Sequence, residues 1–84
     1  MHLIVAYDAE AERTEIFKKI CQIYLVKIQN SVFEGDINEP QLMKLRDLLE
    51  KETKSSESVR IWIIPKILRT VEIGRHNPME NGIL

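Results

Sequence analysis

The sequence predicts a small α+β domain in which a four-stranded sheet carries two helices on one side. Strand-like apolar runs and amphipathic stretches follow one another in the order strand, helix, strand, strand, helix, strand. The 84 residues suffice for one domain, and a composition with 44% hydrophobic and 30% charged residues is globular rather than disordered.

The first strand is predicted over His2 to Tyr7, a continuous apolar run that stops at Asp8. Such a run favours a central strand that is buried on both faces. From about Glu10 to Tyr24 the apolar residues recur at helical spacing, with acidic residues early and Lys18 and Lys19 later, as the helix dipole prefers. This stretch predicts the first helix.

A hairpin and the second helix follow. Val26 and Ile28 alternate with polar residues, and a second apolar segment follows Asn30, which predicts two short strands joined at a turn there. Asn38 can cap a helix and Gln41 follows three residues later, the spacing of a capping box. One face of this helix is marked by Leu42, Leu45 and Leu49.

The last strand is predicted from an alternating pattern of side chains that runs from Val59 up to Pro65. Proline has no backbone N–H, so it ends the hydrogen-bond ladder of a strand. Thr70 to Ile73 is a candidate extra edge strand. The whole order matches the split βαβ, ferredoxin-like arrangement. We therefore predict a ferredoxin-like domain over residues 1–73 and a C-terminal tail over residues 74–84, a candidate partner-binding segment.

Two helices on one side would leave the other sheet face bare, and we expect Phe33 or Trp62 to point to it. A domain of this size has a thin core, which a partner subunit would help to cover. The sequence therefore predicts a homodimer that packs sheet to sheet.

Charge and cysteine content exclude several classes of protein. The net charge of −1 gives no overall positive field for nucleic acid, so any such contact must be local. The first twelve residues carry −3, whereas residues 13–75 hold all 12 basic groups against nine acidic ones. The single cysteine, Cys21, cannot form an internal disulfide, and no apolar run reaches membrane-spanning length. We expect a cytoplasmic protein without membrane contact.

Asp8 is the main candidate for chemistry, because a carboxylate at the end of a buried central strand lies where such sheets often place reactive groups. An aspartate just before a helix is also commonly an N-cap, and that interpretation stays open. Mg²⁺ is usually held by one or two carboxylates plus waters and phosphates, so one Asp8 per chain suffices only if a symmetry mate brings a second.

Several motifs together resemble the CRISPR-associated protein 2 family across nearly the whole chain. The most specific is the Gln29-x-Ser31-Val32-Phe33-Glu34-Gly35 run, placed about twenty residues after a strand that ends in Tyr7-Asp8. The segment Ser58-Val59-Arg60-Ile61 also fits. This chain departs from the family pattern after Asp8, where Glu10, Glu12, Arg13 and Thr14 replace a second aspartate and paired arginines.

The resemblance implies a ferredoxin-like homodimer whose final strand crosses to the partner's sheet. It implies action with the CRISPR-associated integrase in capturing spacer DNA, and an endonuclease activity on RNA or DNA that depends on Mg²⁺ or Mn²⁺. Asp8 matches the aspartate that pairs across the dimer axis to hold the metal and act in catalysis. The matches for nucleic-acid or phosphate positioning are Arg13, Lys27, Ser31 and Phe33, and the tail residues expected to bind a partner are Asn77, Pro78, Ile83 and Leu84.

Three functions stay open on the sequence. We favour a dimeric scaffold that bridges integrase subunits on DNA by phosphate contacts. The same chain would also fit a metal-dependent nuclease centred on Asp8. The alternative from another class is a free metal-dependent endoribonuclease of the toxin or interferase type, acting on single-stranded RNA.

Overall fold

The computed structural model of the chain describes residues 1–67 and 69–74. It contains the elements β1 (His2–Asp8), a 3-10 turn (Ala11–Arg13), α1 (Thr14–Cys21), β2 (Val26–Gln29), β3 (Val32–Asp36), α2 (Glu39–Glu52) and β4 (Ser58–Ile64). The four strands form one antiparallel sheet in the order β2-β3-β1-β4. The predicted ferredoxin-like α+β fold is confirmed.

The core lies between the helices and one face of the sheet. Residues in β1 alternate in burial, so that Leu3, Val5 and Tyr7 are buried and their neighbours are not. The helices cover this face with Phe17 and Cys21 from α1 and with the three leucines predicted for α2. The prediction that β1 is buried on both faces is therefore wrong for the single chain, because helices cover only one face.

Local chemistry sets the bounds of the helices. Asn38 accepts a hydrogen bond from the Gln41 backbone at 2.9 Å, and the Gln41 side chain accepts one from the Asn38 backbone at 3.0 Å, which completes the predicted capping box. The first helix is shorter than predicted. It begins with a 3-10 turn and ends at Cys21, because the chain must reverse within four residues to enter β2.

The hairpin turn is a two-residue turn at Asn30 and Ser31, since Gln29 pairs with Val32. Ser31 has a positive φ of 65°, a conformation that non-glycine residues adopt at some cost in strain. The turn predicted around Asn30 is confirmed.

The extra edge strand predicted over Thr70–Ile73 does not form within the described chain. A strand needs a neighbour for its backbone groups, and this segment pairs with none of the four strands. Its apolar side chains stay exposed instead, Val71 at 65% and Ile73 at 86%. Residues 75–84, which make up nearly all of the predicted tail, lie outside the described residues.

Candidate functional site: a cleft at the end of the central strand

Asp8 is the last residue of β1, and it lies opposite Ser58, the first residue of β4. Its side chain is exposed. The following 3-10 turn has Glu10 at its N-cap position, without a side-chain cap bond. Asp8 is therefore not the helix cap that the sequence left open, and its carboxylate faces solvent at the strand end.

A cleft of about 330 Å³ opens beside Asp8. Its walls come from the ends of the two paired strands, with Ala6 on β1 and Ser58, Arg60 and Trp62 on β4. The pairing places Ala6 opposite Arg60 and Ile4 opposite Trp62, so these residues share one side of the sheet with Asp8. That side is the face that the helices leave uncovered, which we call the open face.

Arg60 and Trp62 interact with each other on the open face. The Arg60 guanidinium carbon lies 5.7 Å from the centroid of the Trp62 ring, within the range of a cation–π contact. Trp62 is 44% exposed. The prediction that Trp62 points to the bare face is confirmed.

Phe33 does not point there. It is fully buried on the helix side, opposite Val5, and its ring centroid lies 6.1 Å from that of Tyr7. A direct phosphate contact by Phe33 is therefore impossible in this fold, and its part in the Ser31-Val32-Phe33 motif is to hold the hairpin on the core. The prediction that placed Phe33 on the bare face is wrong, because strand alternation puts Phe33 on the same side of the sheet as its core partner Val5.

Arg13 is committed to the protein itself. Its Nε donates to Glu57 Oε2 at 2.8 Å, and its Nη2 donates to Glu57 Oε1 at 3.0 Å and to the Glu52 carbonyl at 2.7 Å. The Arg13 side chain is 17% exposed and that of Glu57 only 3%. We call this pair the Arg13 clamp. The hydrogen bonds that Glu57 accepts from Arg13 and from the Lys54 backbone hold the pKa of the Glu57 carboxyl at about 2, below its usual range.

The expected phosphate contact of Arg13 therefore has little support from the geometry. A guanidinium that already makes three hydrogen bonds to its own chain would have to give them up to bind a phosphate. The clamp instead joins the turn after β1 to the loop before β4, the two segments that flank Asp8 and Ser58.

Lys27 and Ser31 lie together, but on the other side of the sheet from the open face. They line a second cleft of about 350 Å³ with Thr14, Asn30 and Tyr7. Tyr7 donates its backbone N–H to the Ser31 carbonyl at 3.0 Å. Burial raises the pKa of the Tyr7 hydroxyl, and a hydrogen bond with the Ser31 side chain partly offsets that rise. Lys27 and Ser31, expected to position phosphate, thus line a different cleft from that of Asp8.

The described residues of one chain do not complete a metal site. Over residues 1–67 and 69–74 there is no group of three His, Cys, Asp or Glu side chains that could hold an ion. Asp8 is the only carboxylate that lines its cleft among the described residues. The donor set fits Mg²⁺ only if a second Asp8, from another copy of the chain, faces the first.

Two further titratable side chains lie outside the Asp8 cleft. Burial raises the pKa of Cys21 to about 12, so its thiol stays protonated and behaves as a small apolar side chain. His2 contacts Glu34 at 3.0 Å and Asp36 at 3.3 Å at the opposite end of the open face from Asp8. The predicted tail residues lie outside the described residues: Asn77, Pro78, Ile83 and Leu84. None of the helices in the described part of the chain is long and apolar enough to cross a bilayer.

The fold and cleft define a small ferredoxin-like protein with an acidic strand end on an uncovered sheet face. Residues 1–67 match the family model of CRISPR associated protein Cas2, and the chain belongs to that family.

Relatives that align with nearly the whole chain carry the name of the same family. The chain is 48% identical to "CRISPR-associated endoribonuclease Cas2 3" of Thermodesulfovibrio yellowstonii over 99% of this chain and 98% of the relative. It is 32% identical to "CRISPR-associated endoribonuclease Cas2" of Pyrococcus furiosus over 99% and 100% of the two chains. A solved structure described as "Crystal structure of cas2" superposes with a TM-score of 0.83 at 36% identity, covering 100% of this chain and 98% of that one.

Sequence reasoning missed two features of this site. Arg60 was one of many scattered cations in the sequence, and only the β1–β4 register places it beside Asp8. The alternation of side chains along the strand from Ser58 could have predicted that Arg60 and Trp62 lie on the same face of the sheet. Glu57 left no signal, since its partner lies 44 residues away.

Proposed function

We propose that the chain acts as a homodimeric scaffold in CRISPR adaptation, where two copies pack through their open faces and bridge integrase subunits on DNA. The observation that carries the proposal is the open face itself. It presents Trp62 at 44% exposure beside Ile4, Ala6 and Ile64, and the helices leave it uncovered. A partially apolar sheet face of this kind is typically covered by another sheet.

The segment after β4 supports the same arrangement. Ile67, Val71 and Ile73 are exposed, and within the described residues the segment 69–74 belongs to none of the four strands of the sheet. Adding this segment to the sheet of a second copy would cover these apolar side chains. This is how the expected crossing strand would form.

The scaffold role is tested by measuring dimerisation and integrase binding separately. Light scattering on the full chain should report a dimer, and a pull-down with the purified integrase of the same CRISPR system should retain it. Deletion of residues 75–84 should weaken integrase binding and leave the dimer intact. A chain that is monomeric at micromolar concentration, or a deletion variant that binds integrase as well as the full chain, would contradict the proposal.

A second function, Mg²⁺- or Mn²⁺-dependent cleavage of a phosphodiester, is favoured by the exposed carboxylate of Asp8 in its cleft. Relatives carry the name endoribonuclease, which makes single-stranded RNA the first substrate to test. In the proposed dimer the two Asp8 carboxylates would together hold the ion. The bound ion would stabilise charge on the phosphoryl oxygens.

Asp8→Asn is the variant that tests this nuclease, because it removes the charge and keeps the shape of the side chain. We expect it to abolish metal-dependent cleavage without affecting the dimer. Asp36→Asn is the matched control, since Asp36 ends the neighbouring strand at the opposite end of the open face. Equal cleavage by the wild type and Asp8→Asn would show that Asp8 is not the centre of the activity. Toxicity on expression that Asp8→Asn relieves would favour the free endoribonuclease.

A further inference from the structure

We propose that Arg60, which lies within cation–π range of Trp62, binds a backbone phosphate of single-stranded nucleic acid in the cleft beside Asp8. The inference rests on the proposed function of Asp8 and names the residue that would receive the substrate. It concerns binding, so it can be tested without metal or cleavage.

The first step is the position of Arg60. Asp8 pairs with Ser58, and Arg60 follows two residues later on the same face of β4. Such diagonal neighbours in an antiparallel pair are about 7 Å apart, within reach of a long side chain. Both line the same cleft of about 330 Å³. A phosphate that contacts the guanidinium would therefore lie next to the carboxylate.

The second step is the state of the Arg60 guanidinium. Within residues 1–67 and 69–74, no carboxylate forms an ion pair with it, and its one recorded contact is the face of Trp62. A cation–π contact takes up none of the guanidinium N–H donors in an ion pair, so they remain available to an oxyanion such as a phosphate. The contact also restricts the side chain to the neighbourhood of the cleft, which reduces the entropy lost on binding.

The third step is a comparison with the other cations. Arg13 is held in its clamp, and Lys27 lines a cleft on the helix side of the sheet. Arg46 lies 3.4 Å from Glu50 on the surface of α2. Among the described residues, Arg60 is the cation that lines the Asp8 cleft.

The proposed packing of two copies would bring both Asp8 side chains to the dimer axis. The two Arg60 side chains would then flank the acidic pair, one on each side. A single strand lying across this end of the dimer would meet positive charge before and after the carboxylates, which would offset their repulsion of its phosphates.

The test uses the full chain, a fluorescently labelled ten-nucleotide oligouridylate and excess EDTA, so that no cleavage occurs. Affinity is measured by anisotropy at several salt concentrations. Light scattering and circular dichroism confirm that each variant is folded and assembled as the wild type is.

We expect Arg60→Gln to weaken binding roughly a hundredfold, because the dimer loses two charge-assisted hydrogen bonds, each worth about tenfold. The slope of log affinity against log salt should fall by about 1.4, since each of the two lost phosphate contacts contributes about 0.7 on a single strand. Arg60→Lys should keep the salt slope but bind more weakly than the wild type, because an ammonium lacks the planar fork of N–H donors that a guanidinium presents to a phosphate. The control is Arg46→Gln, an equal change of charge on α2, which should bind as the wild type does.

Binding by Arg60→Gln with wild-type affinity and salt slope would overturn the inference. The proposed nuclease activity can fail independently of this phosphate contact. If Asp8→Asn cleaves like the wild type while Arg60→Gln loses affinity, the proposed catalytic function fails and the phosphate contact stands.

Discussion

Replacing Glu57 with Gln perturbs the most highly connected ion pair of the described chain. The Glu57 carboxylate accepts two hydrogen bonds from Arg13, at 2.8 and 3.0 Å, and a third from the Lys54 backbone at 2.9 Å. Glu57→Gln keeps the size of the side chain but removes its charge. The Arg13 clamp then loses its ion pair, and we expect the thermal unfolding midpoint at neutral pH to fall.

The loss of stability caused by Glu57→Gln is expected to depend on pH. The clamp lowers the pKa of Glu57 from 4.5 to about 2 in the folded chain. A depressed pKa means that the folded state favours the carboxylate, so the stabilisation is complete above pH 4.5 and disappears as the pH falls towards 2. The difference between the wild type and Glu57→Gln should therefore be constant near neutrality and should close between pH 4.5 and 2.

Thermal unfolding followed by circular dichroism, at half-unit steps from pH 7 to pH 2, measures this difference. The matched control is Glu50→Gln, because Glu50 meets Arg46 at 3.4 Å on an exposed helix surface. Exposed pairs of this kind contribute little, so this variant should follow the wild type at every pH. A gap between the wild type and Glu57→Gln that persists unchanged at pH 2 would refute the assignment of the low pKa to the clamp.

Three further predictions follow from single contacts. Asn38→Ala removes the helix cap of α2 and should cost about 1 kcal/mol, or about 4–8 °C in unfolding midpoint for a domain of this size; calorimetry checks this. Gly35→Ala would place a Cβ 3.2 Å from the Tyr24 carbonyl oxygen, and we expect a loss of about 1–3 kcal/mol in urea unfolding, whereas no loss would mean that the β2–β3 backbone moves freely. Trp62→Ala should weaken the proposed dimer by about 2 kcal/mol, roughly 30-fold in dissociation constant, by analytical ultracentrifugation; Met43→Ala, an apolar change at a more exposed position on α2, should not.

The elements that sequence reasoning predicted well are those whose signals are local. The capping box needs only Asn38 and Gln41, three residues apart, and both of its hydrogen bonds are present. The turn at Asn30 is likewise a short-range pattern. The order of elements then restricted the topology to the arrangement that the structure shows, because split βαβ units admit few alternatives.

The errors arise where burial depends on residues far apart in the chain. The apolar run of β1 looks like a strand buried on both faces, yet only the face with Leu3, Val5 and Tyr7 meets the helices. Phe33 looks like a surface aromatic in a functional motif, but its pairing with Val5 assigns it to the core. The Thr70–Ile73 segment has strand-forming residues, yet it is not part of the four-stranded sheet that the described residues form.

The candidate site depends on the same long-range information. Asp8 and Arg60 are neighbours only because β1 and β4 pair in a register that sets Asp8 against Ser58. A slip of one residue would move Arg60 and Trp62 to the helix side and leave Asp8 without its cleft. The Arg13 clamp ends at Glu57, one residue before β4 begins, and it is tied to the turn that follows β1. Arg13 was expected to contact phosphate. In the structure it instead ties together the strand ends from which Asp8 and Arg60 face the open side.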